Sequence, residues 1–499
     1  MSRVVEIVLD VPACAAHTGH RRTLGAVSAQ QASCPGGVSE ALGQALSRAT
    51  QFSPRLSRVE NAAPMSIYPM DLSGRLTEAG WGAWVEASSG GWRLIVSCVE
   101  PHSPAVAVRE IVCDARLEAG VPFTHYVSGL PSKLQQALES AGAFVPLHGV
   151  PQVRRTRWRW MAQDGLIVEL VLNAFDVAMR STLTLCCELR LSAYREGSAN
   201  ASSEGEQPDS LEPAIHALFA AAQVVLAELP AFPVIESVLE GTRRNREEAD
   251  EPVRAMPVDL IDVHTPHAAL IAISANLAHQ WFGNERGVRE GATTEFVHQM
   301  RVAQRRLRTT LRIFSAWADA DWTTRVVPEL RWLGKRLGEV RDLDVFTDST
   351  LPALAAADLD VSTWSTVLAE AAALRSDARQ HLQAAMGSRR YAQLSLTWLA
   401  WLAELPLRGV PDSTAGVTLR EFVKRRVRKH FKRLTGTSKL SELDAHARHC
   451  RRIEAKRSVC ATRLNSLNRL RRHARAAMPP GSCSGFKACL AMLTMRWLP

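Results

Sequence analysis

The sequence has no apolar run long enough to cross a membrane. Its longest apolar stretches, 217–229 and 396–403, are short or broken by Gln223, Glu228 and Glu404, whereas a spanning helix needs about 20 apolar residues in succession. Near the N-terminus Glu6 and Asp10 stand where a secretory signal needs an apolar core, so a cytoplasmic protein is expected. The ten cysteines include no C-x-x-C pair and no Cys/His cluster at zinc spacing, and none lies between 188 and 449. A chain of 499 residues needs no disulfide staples, and the thiols are read as reduced. Lysine is nearly missing from the first part, where Lys133 is the only one in residues 1–290. A 46% hydrophobic and 22% charged composition excludes disordered, collagenous and coiled-coil classes, and the length implies at least two domains.

Charge is divided unequally. Residues 1–290 hold 24 basic and 32 acidic side chains, a net −8, while 291–499 hold 36 and 18, a net +18, so the overall +10 describes neither part. Such asymmetry is the electrostatic footprint of a region that meets a polyanion: nucleic acid, an anionic membrane or an inorganic polymer.

The first half alternates β-branched or aromatic residues with polar ones at 4–11, 91–99, 106–113, 153–161, 165–172 and 182–191, with helical patterns at 38–49, 132–141 and 213–229. An α+β domain dominated by antiparallel strands is expected over 1–240. A polar run at 196–209 reads as an inserted loop, and another at 240–252 falls in a linker placed at 241–258. Apolar spacing of 3, 4 and 7 then predicts helices at 260–282, 295–318, 326–347, 361–386, 388–405, 419–434 and 443–475, so 259–499 reads as an all-α bundle.

The segment VHQMRVAQRRLRTTLRIF, 297–314, carries the most information. At 100° per residue His298, Arg301, Arg305, Arg308 and Arg312 share an arc of roughly 80°, with Met300, Leu307, Leu311 and Phe314 opposite as the core side. Solvated helix faces usually interleave carboxylates, because like charges three or four residues apart repel. Here Glu295 is the only carboxylate from 291 to 318. Arginine also presents a planar fork that grips phosphate oxygens in pairs. The pattern recurs 151 residues later: from His449 the same offsets give Arg452, Lys456, Arg457 and Arg463, matching Arg301, Arg305, Arg306 and Arg312 after His298. LRWLGKRLGEVRDLDVF, 330–346, adds Arg331, Lys335, Arg336 and Arg341, and KRRVRKHFKR, 424–433, adds Lys424 and Arg428. Few aromatic residues interleave with these cations, and Trp281, Phe296 and Phe314 fit the core, which leaves a nucleic-acid reading resting on net charge alone.

VHQMRVAQRRLR, LRWLGKRLGEVRDLDVF and HCRRIEAKR resemble the CHAD family, the conserved histidine α-helical domain, over about 259–460. The resemblance implies helical bundles around a basic surface that binds inorganic polyphosphate, often on polyphosphate granules, with His298 and His449 as the family's histidines. The chain departs from the pattern after about 458: Pro479–Pro480–Gly481, four cysteines in the last 50 residues and no Asp or Glu after Glu454 make an atypical tail.

The strand-rich half is similar to the CYTH, or triphosphate tunnel, domains that commonly precede CHAD. VEIVLD, 5–10, keeps Glu6 of the family's E-x-E-x-K strand but places Val8 and Asp10 at its other two positions. In AGWGAWVEA, 79–87, Trp84 and Glu86 stand where arginines belong, and in ELRL, 188–191, Arg190 stands where an acid belongs. Triphosphate hydrolysis needs clustered carboxylates around Mg²⁺ or Mn²⁺, for which Glu6, Glu169 and Glu188 are the weak candidates. The expectation is a degenerate, non-catalytic tunnel-like domain followed by a polyphosphate-binding helical domain with an internal repeat. No cofactor and no membrane partner are expected, Mg²⁺ or Mn²⁺ matter only if the tunnel is active, and nucleic acid enters only as a nonspecific competitor. The alternatives are a metal-dependent inorganic triphosphatase with an accessory helical domain, and a nonspecific nucleic-acid binder.

Overall fold

The structure is a computed structural model. It describes residues 3–12, 35–48, 56–61, 64–70, 79–104, 106–142, 152–162, 165–179, 182–195, 211–235, 251–291, 293–317, 320–358, 364–410 and 416–435, with isolated positions besides. The chain divides into two compact units. One comprises Met1–Pro252, Phe282–Phe296 and Glu339–Leu407, the other Val253–Trp281, Val297–Gly338 and Arg408–Pro499.

The first unit is built on an antiparallel sheet that closes on itself. Its strands are β1 (Arg3–Asp10), β2 (Leu56–Asn61), β3 (Met65–Pro69), β4 (Trp81–Ser88), β5 (Gly91–Ser103), β6 (Val106–Leu117), β7 (Gln152–Met161), β8 (Leu166–Met179), β9 (Thr182–Arg195) and β10 (Phe232–Val234). The pairing runs β1-β6-β5-β4-β3-β7-β8-β9, and β9 returns to β1. Val5 and Glu6 pair with β6 on one edge and β9 on the other, which closes an eight-strand ring. β10 lies beside the end of β1, and β2 beside β7. Closure leaves no free edge in the ring and gives each strand one face to the lumen and one outward.

The helices fix which face is which. Helices α1 (Pro35–Arg48), α2 (Phe123–Val127), α3 (Ser132–Gly142) and α4 (Leu211–Glu228) follow or interrupt the strands. The first and last pack on β1, β8 and β9, covering an outer face that includes Val5, Ile7, Leu9, Leu170, Leu172, Leu189 and Leu191, all buried. α4 is long and apolar enough to cross a membrane by length and composition, which the interruptions at Gln223 and Glu228 had been read to exclude. Within this unit it is a core helix, with Ile215, Leu218, Ala221, Ala222, Val225 and Leu226 fully buried.

Beyond the strands the described chain is helical: α5 (Pro266–Arg289), α6 (Thr294–Ile313), α7 (Ala320–Val345) running into a π turn at Phe346–Thr350, α8 (Leu351–Ala357), α9 (Trp364–Met386), α10 (Arg389–Glu404) and α11 (Leu419–Thr435). The α+β layout expected from the sequence is therefore the observed one, with β2, β3, β4 and β10 as added strands. The helix expected at 443–475 and the tail after 458 lie outside the described residues, apart from isolated positions at 444, 446 and 447. In the second unit Met300, Leu307, Leu311 and Phe314 of α6 are buried, as their spacing requires. Phe314 stacks on Phe422 of α11 at 5.1 Å between ring centroids.

Within the first unit a buried polar cluster joins barrel to helix. Arg289 of α5 pairs with Asp10 of β1, lies over the Phe232 ring of β10 at 4.3 Å and approaches Glu285 at 3.6 Å. The Tyr391 hydroxyl of α10 donates to Glu285 at 2.8 Å. Two carboxylates thus share one guanidinium. Burial pushes the Glu285 carboxyl up to about 7 and nearby Asp10 adds to this, against the opposing pull of Arg289 and Tyr391.

The sign of the resulting pH dependence is fixed. Below about pH 4.5 the group is protonated folded or unfolded; between there and about 7 only the folded state keeps the proton, so stability falls as pH rises through this window. Denaturant unfolding should show the first unit losing up to about 3 kcal/mol between pH 5 and pH 8 from this residue. Glu285→Gln is expected to flatten that slope and to be the more stable form at pH 8.

Candidate anion-binding site

In the second unit α6 is fixed on two sides by polar contacts. Toward α5, Gln280 donates to the Gln299 side chain at 3.0 Å, and Arg306 donates to Gln280 at 2.6 Å and to Asn276 at 2.9 Å. Toward α7, Gln304 donates to the Leu330 carbonyl at 2.5 Å. Gln280, Gln299 and Gln304 are buried, and a buried amide keeps its place only with such partners. Side chains of α6 occupy two glycine notches on α7: a Cβ on Gly334 would stand 2.7 Å from the Gln304 amide nitrogen, and one on Gly338 2.5 Å from an Arg301 guanidinium nitrogen.

These contacts present the remaining face of α6 outward. Arg305, Arg308 and Arg312 are exposed, while His298 and Arg301 at the same side are half-buried. On α7, Arg331 and Lys335 are exposed and Arg336 is half-buried roughly 160° around the helix from Gly338. α11 buries Leu419, Phe422 and Val423 and exposes Arg420, Lys424, Arg425, Arg428 and Lys429. Arg426 instead lies over the Phe422 ring, and burial lowers its pKa. The structure thus brings Arg301, Arg305, Arg308 and Arg312 onto one side of α6, with Lys335 on α7 and Lys424 and Arg428 on α11 in the same unit. Arg306 points elsewhere, into the amide cluster with α5. Arg341 is half-buried and belongs to the first unit. His449, Arg452, Lys456, Arg457 and Arg463 lie outside the described residues.

Sequence reasoning missed Gln280, Gln299, Gln304, Gly334 and Gly338, which hold the stripe in place. Two glycines four apart in the middle of a long helix, in GKRLG, were the available signal, since glycine is unfavourable there unless something approaches closely.

The barrel lumen holds the metal candidates. Glu6 accepts from Arg109 at 2.9 Å and from Arg190 at 3.3 Å. Arg109 also reaches the Ser97 hydroxyl at 2.8 Å and lies over Trp84 at 5.3 Å. Arg155 donates to Glu86 and to Asn173, each at 2.8 Å; burial lowers its pKa despite Glu86, and Arg157 and Arg190 add to the lowering. Glu188 accepts from Ser237 at 2.6 Å, and Glu169 lies 4.0 Å from Arg159. On the same face, buried Met65, Ile67, Val153, Phe175 and Leu239 form an apolar cluster. Among the described residues no three His, Cys, Asp or Glu side chains converge on a metal position. The donor set does not fit Mg²⁺ or Mn²⁺, which take several oxygen ligands free of competing cations: Glu6 is held by two guanidiniums, and Glu169 and Glu188 face other partners.

Arg306→Ala should destabilise the second unit by about 1–3 kcal/mol in urea unfolding, because it strips the buried Gln280 oxygen of a charged donor. Arg305→Ala, at an exposed site, should shift the same midpoint by less than about 0.5 kcal/mol.

Comparison with curated proteins finds no match. Among solved structures, the CHAD domain from the plant Ricinus communis is 30% identical, over 43% of this chain and 70% of that one, with a TM-score of 0.36. A Hippeastrum protein provisionally assigned as an adenylyl cyclase, and found to have a dominant triphosphatase activity, is 15% identical over 49% of this chain and 97% of that one, with a TM-score of 0.25. A family model, the CHAD domain, matches residues 272–476. By that family match the chain contains a CHAD domain at residues 272–476.

Proposed function

We propose that the protein binds inorganic polyphosphate through the exposed cations of α6, α7 and α11, and that its barrel is not catalytic. The observation that carries the first statement is the one-sided stripe of Arg305, Arg308 and Arg312, exposed on a helix whose opposite side is buried and whose neighbourhood in sequence offers only Glu295 as a counter-charge. Guanidiniums at successive helical turns can each form charge-assisted contacts with a flexible chain of phosphates, and binding by many such contacts weakens steeply with salt. A cytoplasmic location on polyphosphate granules follows from the same reading.

The ion pairs in the barrel support the second statement. A tunnel that hydrolyses triphosphate must leave carboxylates open to a metal and cations open to phosphate. Here Glu6 and Glu86 are neutralised by Arg109, Arg190 and Arg155, and apolar side chains occupy part of the same face.

Labelled long-chain polyphosphate at physiological salt, challenged with excess DNA, RNA and tripolyphosphate, tests the specific reading, which is lost if duplex DNA or RNA displaces the label as readily per phosphate. Replacing Arg301, Arg305 and Arg308 together with alanine should lower the slope of log affinity against log salt by about two to three, and unchanged binding would refute the stripe. The full chain with Mg²⁺ or Mn²⁺ is expected to release no phosphate from tripolyphosphate.

A further inference from the structure

Gly338 lies on the same side of α7 as Arg331 and Lys335, within about 60° of both. What fills the space over it is the end of Arg301 from α6: a guanidinium nitrogen sits 2.5 Å, and its carbon 3.5 Å, from where a Cβ would be. Four residues earlier Gly334 gives the same room to Gln304. The two notches differ in consequence. Gln304 is buried and donates to the Leu330 carbonyl, so its amide cannot move without losing that bond. Arg301 is half-buried at the margin of the exposed stripe, and its guanidinium is the far end of a flexible side chain.

We infer that Gly338 is a positioning residue for anion binding: its missing side chain seats the Arg301 guanidinium across the α6–α7 groove, joining the Arg305, Arg308 and Arg312 stripe to Arg331 and Lys335. Without that seat Arg301 would lie along α6 alone, and the cations of the two helices would form two narrower sets. Gly334 is a packing residue in the same motif. This rests on the proposed polyphosphate binding, and the two ideas fail differently.

The test compares Gly338→Ala, Gly334→Ala, Arg301→Ala and the Arg301→Ala/Gly338→Ala double variant of the full chain, using labelled long-chain polyphosphate and thermal unfolding. Alanine is the better helix former, so Gly338→Ala should melt at or above the wild-type temperature while its affinity falls roughly three- to tenfold and its salt slope falls by about one. Gly334→Ala should melt lower and, where still folded, bind with nearly wild-type affinity. If Gly338 acts through Arg301, the double variant binds no more weakly than Arg301→Ala alone. Wild-type affinity in Gly338→Ala, or losses that multiply in the double variant, would overturn the positioning role while leaving polyphosphate binding intact. A wild-type protein that does not hold the label would instead remove the functional reading on which this role rests.

Discussion

A charge taken out of water must meet an opposite charge or be carried back to the surface, and the two units satisfy this constraint in opposite ways. In the first, guanidiniums and carboxylates lie close together out of solvent: Arg109 and Arg190 on Glu6, Arg155 on Glu86, Arg289 on Asp10. In the second, the apolar side of α6 is buried while Arg305, Arg308 and Arg312 stand at the surface. The first arrangement consumes charge in holding strands and helices together. The second sets charge at the boundary with solvent.

The same constraint explains why arginines of one helix do different things. Arg306 and Arg305 are adjacent in sequence, yet 100° of helical rotation sends the first into the Gln280 and Asn276 oxygens and leaves the second in solvent. Amide partners suit a cation at the helix contact, because they accept its hydrogen bonds without adding a buried negative charge. They also turn α6 to one fixed rotation, so that the stripe on the far side is a surface of defined orientation rather than a set of side chains on a loose rod.

Much of this was legible in the sequence, for physical reasons that also mark the limit. The 3.6-residue period of Met300, Leu307, Leu311 and Phe314 gave the buried side of α6, because burial of an apolar stripe is what makes such a helix form. The alternation around Glu6 and Glu188 gave strands in the same way. The barrel's closure was not legible, since it depends on β1 pairing with both β6 and β9, partners about a hundred and nearly two hundred residues away. Nor was the role of Arg306, which helical spacing alone places beside the stripe; what decides it is Asn276 and Gln280 on another helix. β3 is five residues long and β10 three, too short for a two-residue period to stand out.

The lumen shows how a departure from a family's pattern can be read as a coupled change. Glu86 stands where the resemblance leads one to expect a cation and Arg190 where it leads one to expect an acid, and taken singly each is a defect. In the structure Glu86 meets Arg155, and Arg190 meets Glu6, at 2.8 and 3.3 Å. Arg190 beside Glu6 and Glu86 beside Arg155 each place opposite charges together inside the ring. Each pairing lowers the charge left over inside the ring, and a closed barrel with less unpaired charge in its lumen costs less to desolvate. The barrel is thus held together in part by ion pairs turned into its lumen, Arg155 with Glu86 and Arg109 and Arg190 with Glu6, a pairing across distant strands that alternation along any one strand does not reveal.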